Sequence, residues 1–259
     1  MTDTVSKQAE LAQNFAEMHQ PGDPLVLYNI WDAGSAKVIE QAGTRAIATG
    51  SWSVAAAQGF NDGEKLPLEI ALMTARRICK TVDLPVTLDF EGAYATGPTG
   101  VATNVTLAMK QGVVGINFED QVIGGKGLHK QDEQAKRIAA AREAAEAYGI
   151  PLFINARTDI FLKETNLDWH AGLMPQALER LQSYAEAGAS GFFAPGLTDP
   201  DLIGKLCEES EIPVNVMVGA NSPTVAELAD LGVARISHGP APFKQAMEDL
   251  AARYVRSSI

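Results

Sequence analysis

The chain has 259 residues, 46% of them hydrophobic and 20% charged, an ordinary globular balance that excludes a disordered or fibrous protein. Its formal net charge of −11, with Lys and Arg scattered along the sequence, argues against a nucleic-acid partner and for a small-molecule site. Two cysteines, Cys79 and Cys207, lie in helical patterns without zinc-type spacing, which fits a reducing, cytoplasmic setting. No run approaches the length of a membrane span, and Met1–Gln20 lacks the apolar region of a signal peptide.

From Val5 to His19 the apolar positions Leu11, Phe15 and Met18 recur at helical spacing, and the cluster Pro21-Gly22-Asp23-Pro24 ends that helix. Short apolar runs then alternate with helical stretches. The first four pairs are Leu25–Asn29 with Ser35–Ala42, Ala46–Gly50 with Pro67–Thr81, Pro85–Asp89 with Thr99–Gln111, and Gly115–Phe118 with Asp132–Tyr148. The next four are Pro151–Asn155 with Pro175–Ala187, Gly191–Ala194 with Pro200–Glu208, Pro213–Val218 with Pro223–Asp230, and Arg235–Ser237 with Ala241–Val255. Helices tend to end in Gly turns, as at Gly43, Gly112, Gly149, Gly188 and Gly232. Eight such units in succession predict one α/β domain over residues 1–259, a (β/α)8 TIM barrel with an added N-terminal helical extension (1–24) and a C-terminal helix (240–259). Strands covered on both faces are expected to be apolar except at their ends.

In such a barrel the site lies at the carboxyl ends of the strands. Val86-Thr87-Leu88-Asp89-Phe90-Glu91 is a buried strand whose tip carries two carboxylates on one face, and Gly115-Ile116-Asn117-Phe118-Glu119-Asp120 ends the same way. Three or four carboxylates at one rim suit Mg²⁺, with Mn²⁺ as the other hard cation, and Asp89, Glu91 and Glu119 are the candidate metal residues. Gly50-Ser51-Trp52 closes strand two and is expected to offer consecutive backbone N–H groups to an oxyanion. Asn155 and Arg157 alternate into the mouth from strand five as candidate substrate-binding residues, with Arg157 able to meet an anion. Asp62, in the connection after Trp52, can reach the site. The glycine-rich stretch Gln121–Lys130 has the composition of a mobile lid that would deliver Lys126 and His129 to a bound anion or to proton transfer. No lysine closes a strand and no Ser-His-Asp set is present, which disfavours Schiff-base and serine-hydrolase chemistry.

These residues are similar to those of the phosphoenolpyruvate mutase and isocitrate lyase superfamily over nearly the whole chain. The resemblance is carried by Trp31-Asp32-Ala33-Gly34-Ser35-Ala36, Gly50-Ser51, Gln58-Gly59-Phe60-Asn61-Asp62, Leu88-Asp89-Phe90-Glu91 with Tyr94, Phe118-Glu119-Asp120-Gln121 and Asn155-Ala156-Arg157-Thr158-Asp159. It implies a Mg²⁺-dependent enzyme that cleaves a C–C or P–C bond in a small α-oxo-carboxylate or related hydroxy acid through an enolate. Asp89 matches the principal metal carboxylate, and Glu91 and Glu119 match groups that hold metal-bound waters. It also implies a homo-oligomer, a dimer or a dimer of dimers, in which the last helix is exchanged between subunits. The apolar stripe Phe243, Met247, Leu250 and Tyr254 after a Pro-containing connection is compatible with that exchange. The chain departs from the lyase pattern in lacking a lid cysteine, since the loop reads Gly125-Lys126-Gly127-Leu128-His129, and its second metal-motif acid is Glu91 rather than Asp. It departs from the mutase pattern in ending strand six with Phe193-Ala194-Pro195, without a histidine. Lyase or decarboxylase chemistry is therefore the first expectation, with a phosphonopyruvate-type hydrolase or mutase, or a catalytically silent oxo-acid binder, as alternatives.

Overall fold

The computed structural model describes residues 2–220 and 222–257. Helix α1 (Thr2–Glu17) precedes the first strand. The chain then runs β1 (Leu25–Leu27), α2 (Ala33–Gln41), β2 (Ile47–Ala48), α3 (Ser51–Ala57), α4 (Leu68–Thr81), β3 (Val86–Asp89) and α5 (Pro98–Met109). It continues through β4 (Gly115–Glu119), α6 (Gln131–Tyr148), β5 (Phe153–Arg157), α7 (His170–Glu186), β6 (Gly191–Phe193) and α8 (Pro200–Glu208), and ends with β7 (Val214–Met217), α9 (Val225–Asp230), β8 (Arg235–Ser237) and α10 (Ala241–Ser257). The strands lie parallel in the order β1-β8-β7-β6-β5-β4-β3-β2, and a parallel bridge from Ile30 to Thr49 joins the two ends of that sheet. The result is the closed (β/α)8 barrel that the alternating units predict.

Two boundaries differ from the sequence reading. Helix α7 begins at His170, behind a single 3₁₀ turn at Leu167–Trp169, and carries Pro175 in its second turn rather than starting there. A proline forfeits one N–H bond to the residue four back, and a helix tolerates that loss best near its start. The segment Gly50-Ser51-Trp52, read as the close of strand two, is the cap and start of α3, a helix that the sequence reading did not contain.

The expectation of apolar strand interiors is also corrected. Apolar side chains fill the layer between strands and helices, where Ile116, Phe118, Ile154 and Phe192 are fully buried. The inner face of the barrel is polar. The Asn155 amide donates to Asn117 Oδ1 at 2.9 Å, Arg235 Nη2 donates to the same oxygen at 2.9 Å, and Asn215 and the Ser237 hydroxyl bond across β7 and β8. Strand alternation predicts two faces, and a closed barrel turns one of them into a narrow interior that hydrogen-bonded amides can fill.

The amino-terminal end of the barrel is plugged from outside the strands. Phe15 and His19, just beyond α1, meet the Phe153 ring, with His19 stacked on it at 4.0 Å. Gly115 and Gly191 are small for this reason. A Cβ at Gly115 would stand 2.9 Å from the Phe15 ring, and one at Gly191 would stand 3.0 Å from the Phe153 ring. The plug leaves the opposite, carboxyl end as the open one.

Candidate active site

At the carboxyl ends of β3, β4 and β5, Asp89, Glu119 and Arg157 converge because each closes its strand on the inward-facing register. Arg157 is the hub. Its Nε and Nη2 donate to the two Asp159 oxygens at 2.5 and 3.0 Å, and its Nη1 lies 3.0 Å from Glu119 Oε2 and 4.0 Å from Asp89 Oδ1. Burial works against its charge, but Glu119, Asp159 and Asp89 together hold the guanidinium pKa well above its usual value. Glu119 is raised well above the usual carboxylate range, by burial first, with Arg157 opposing the rise and like-charge repulsion from Asp159, Asp89 and Glu91 adding to it.

Asp89 is held by neutral donors. The Ser51 N–H reaches its Oδ2 at 2.8 Å, the Asn117 amide lies 3.4 Å from its Oδ1, and Thr49 Oγ1 accepts its backbone N–H. Asp62 comes to the same mouth, and burial and the nearby Asp89 raise its pKa while the Ser51 hydroxyl opposes the rise. A cleft of about 220 Å³ opens here, with Ser51, Trp52, Asp62, Asp89 and Arg157 on its lining. That volume suits a small acid and is too little for a nucleotide.

Beyond Asp89 the backbone turns back on itself through left-handed conformations at Glu91 (φ 49°), Ala93 (φ 60°) and Tyr94 (φ 52°). Non-glycine residues hold such angles at a cost that the surroundings must offset. Glu64, itself at φ 57°, supplies the hold, since its N–H donates to Glu91 Oε2 at 2.8 Å and its Oε1 accepts the Tyr94 N–H at 2.7 Å. Arg137 adds bonds from Nη2 to the Gly92 and Ala95 carbonyls. Glu91 is thereby fixed in a buried place where desolvation, Asp62 and Asp89 push its pKa up to about 8.

Several expectations are corrected here. Among the described residues no three carboxylate, imidazole or thiol groups gather closely enough to cage a metal by themselves. The Gly50-Ser51-Trp52 amides are not an open nest, because the Gly50 N–H bonds to the Ile30 carbonyl and the Ser51 N–H to Asp89. Asn155 is one layer too deep, buried and bonded to Asn117 rather than lining the cleft. Asp120, on the other face of β4, leaves the rim entirely and is buried against Arg180 and Tyr184 at 3.0 and 2.9 Å. The expected lid is a hydrogen-bonded hairpin, with Gln121 bridged to Leu128 and the Val122 N–H bonded to the Gly127 carbonyl. Lys126 stands exposed at its tip, and His129 faces a second cavity with Glu64 and Arg137, so neither reaches the cleft.

The sequence reading missed Glu64, Asn117 and Asn29. Asn29 joins three strands, donating to the Thr49 carbonyl and accepting the His238 and Gly239 N–H groups, all at 2.8–2.9 Å. The alternation of Asn29 with Leu25 and Leu27 signalled an inward polar residue. Nothing local signalled Glu64, because its partners lie about thirty residues away in the chain.

An acid-lined mouth at the carboxyl end of a closed parallel barrel, with one arginine among the carboxylates, defines a (β/α)8-barrel enzyme. The family model for phosphoenolpyruvate phosphomutase matches residues 15–257, and the chain belongs to that family, within the phosphoenolpyruvate mutase and isocitrate lyase superfamily of lyases and mutases. A solved structure from Burkholderia cenocepacia J2315, provisionally assigned as a phosphonomutase, is 47% identical with a TM-score of 0.94 and covers 96% of this chain and 99% of its own. The 2-methylisocitrate lyase of Escherichia coli K12 is 29% identical over 216 residues, 76% of this chain and 69% of that protein. Phosphonopyruvate hydrolase, solved with oxalate and Mg²⁺, shares the fold at a TM-score of 0.82 and 23% identity, covering 95% of this chain and 86% of its own.

Proposed function

We propose that this enzyme cleaves a C–C bond in a small α-oxo-carboxylate or related hydroxy acid through an enolate, with Mg²⁺ as cofactor. The carrying observation is the arrangement of Asp89, whose oxygens are oriented by the Ser51 N–H and Asn117 while, among the described residues, no cationic side chain approaches closer than Arg157 at 4.0 Å. A carboxylate oriented by neutral donors beside two further acids fits Mg²⁺, which takes one or two carboxylates and keeps several waters. Asp89 would hold the ion directly, with Glu91 and Glu119 receiving its waters. When bound, the ion supplies a Lewis acid that favours the enolate.

The chain's own residues do the rest. Arg157 pairs with the substrate carboxylate by exchanging one of its internal partners, Asp62 holds or takes a proton at the cleft wall, and Trp52 with α3 limits water from one side. The absent lid cysteine leaves Asp62 as the proton-handling group that lines the cleft. The test is incubation with Mg²⁺ and a panel of oxaloacetate, phosphonopyruvate and isocitrate analogues, with release of pyruvate or a related oxo acid followed. Oxalate, a planar mimic of the pyruvate enolate, serves as the binding probe. Tight Mg²⁺-dependent oxalate binding without turnover of any oxo or hydroxy acid would favour the silent binder, and no oxalate binding would sink both readings.

Assembly as a homo-oligomer belongs to the same proposal. Helix α10 buries Pro242 and Phe243, while Met247, Leu250 and Val255 stay 39%, 60% and 56% exposed. An apolar helix face of this size suits a second copy of the chain. Deleting residues from Phe243 onward is expected to lower the oligomeric state in light scattering, and an unchanged oligomer would defeat this part. No described helix is long and apolar enough to cross a membrane, and the two free thiols favour a reducing, cytoplasmic setting.

A further inference from the structure

Among the described residues the cleft lining carries charge at Asp62, Asp89 and Arg157, neutral polar groups at Asn29, Asn117 and Ser237, and hydrocarbon at Leu162, Phe193, Pro195, Met217 and Pro240, with the Arg157 guanidinium 5.9 Å over the Phe193 ring. Arg157 is the one basic residue lining the cleft among the described residues, and all three of its nitrogens already face carboxylates. Other cations are turned elsewhere. Lys244 lies 4.9 Å over the Trp52 ring without lining the cleft, Lys126 is at the hairpin tip, and His238 packs on Tyr28. A ligand whose carboxylate takes the place of one Arg157 partner therefore leaves its remaining atoms among hydrocarbon and neutral polar groups. A second carboxylate or a phosphonate there would be desolvated with no cation to meet it.

We propose that the substrate is a 2-oxo acid whose far end is an uncharged, short hydrocarbon group, a conclusion that rests on the α-oxo acid reading above. With no second carboxylate available to receive electrons, the 2-oxo carbonyl is the electron sink, which assigns cleavage to the C3–C4 bond of a 4-hydroxy-2-oxo acid. The C4 hydroxyl gives its proton to Asp62, which takes part in no ion pair among the described residues. The C4–O bond becomes a carbonyl, the C3–C4 bond breaks, and its electron pair forms the C2–C3 enolate as the carbonyl oxygen takes the negative charge. Asp62 then returns the proton to C3. One 4-hydroxy-2-oxo acid gives one shorter 2-oxo acid and one aldehyde or ketone, with no further reactant.

Displacement of oxalate from the Mg²⁺-loaded protein by 2-oxopentanoate, oxaloacetate and phosphonopyruvate tests this preference by binding alone. The expected result is 2-oxopentanoate about tenfold tighter than either dianion, from burial of its two extra carbons against an uncompensated charge. Leu162→Lys, at a position 42% exposed and so tolerant of a charge, is expected to reverse that order. Incubation with 4-hydroxy-2-oxopentanoate is expected to release pyruvate and acetaldehyde in equal amounts. If oxalate binds and either dianion outcompetes 2-oxopentanoate, the hairpin delivers Lys126 to a second anion and the inference is overturned while the α-oxo acid reading stands. If the binding order holds and no pyruvate appears, the assigned cleavage is overturned. Failure of oxalate to bind would instead count against the functional reading beneath both.

Discussion

Each end of the barrel buries an arginine on its inner face, and the two arginines meet opposite fates. Arg157, at the open end, is surrounded by Glu119, Asp159 and Asp89 and is held charged more firmly than in water. Arg235, at the plugged end, is wholly buried with a neutral amide, Asn117 Oδ1, as its hydrogen-bond partner, and desolvation drops its pKa to about 9. Burial is common to both, so the difference lies in the anions. One end gathers charge around an open cleft, and the other excludes water and holds the strands together.

The largest effect is expected at the plug. Phe15→Ala removes a fully buried ring from between Gly115 and Phe153, and its cost should be about 3–5 kcal/mol in urea unfolding, with no change in intrinsic oxalate affinity of the folded protein. A loss under about 1 kcal/mol would mean that the plug is dispensable. At the other end, Asp89→Ala should leave the fold intact and reduce Mg²⁺-dependent oxalate affinity by at least about a hundredfold, roughly 2.7 kcal/mol, as read by calorimetry. Unchanged affinity would remove the metal assignment.

The plug also predicts a pH response. His19 is buried with its Nδ1 on the Phe15 carbonyl at 2.7 Å, facing Arg235 and Arg45, and burial followed by the Arg235 charge lowers its pKa to about 3. The unfolded chain binds the proton that the folded state refuses between about pH 3 and 6.5, so stability falls as pH falls through that window. The slope should approach about 1.4 kcal/mol per pH unit from this group, and His19→Gln should flatten it. A variant with the same slope would show that other groups control acid unfolding. The smallest expected change is at Glu64. Truncation to Ala frees the Tyr94 N–H and one Glu91 oxygen loses no partner, because the Glu64 backbone N–H remains. A stability loss of about 1–2 kcal/mol with a few-fold weaker oxalate binding is expected, and an affinity loss as large as that of Asp89→Ala would make Glu64 a direct participant.

The sequence by itself determined the eight strand-helix units and the strand-end acids, because apolar periodicity, glycine turns and residue alternation are local properties of the chain. Asp89, Glu119 and Arg157 could be placed at one mouth on that basis, since parity along a strand fixes the direction of a side chain, whereas Asp62 lies in a connection and was legible only as a residue within reach. Tertiary structure decided the rest. Glu64 clamps a left-handed turn from another connection, Asn155 sits below the mouth because Asn117 claims its amide, and Asp120 leaves the site because one step along β4 points it at Arg180. The hairpin of Gln121–Lys130 satisfies its own backbone, so its glycine content did not mean that Lys126 lies in the cleft. The apolar part of the cleft lining joins the ends of β6, β7 and β8 with a loop beyond β5, and such a surface exists only once the barrel has closed and brought those ends together.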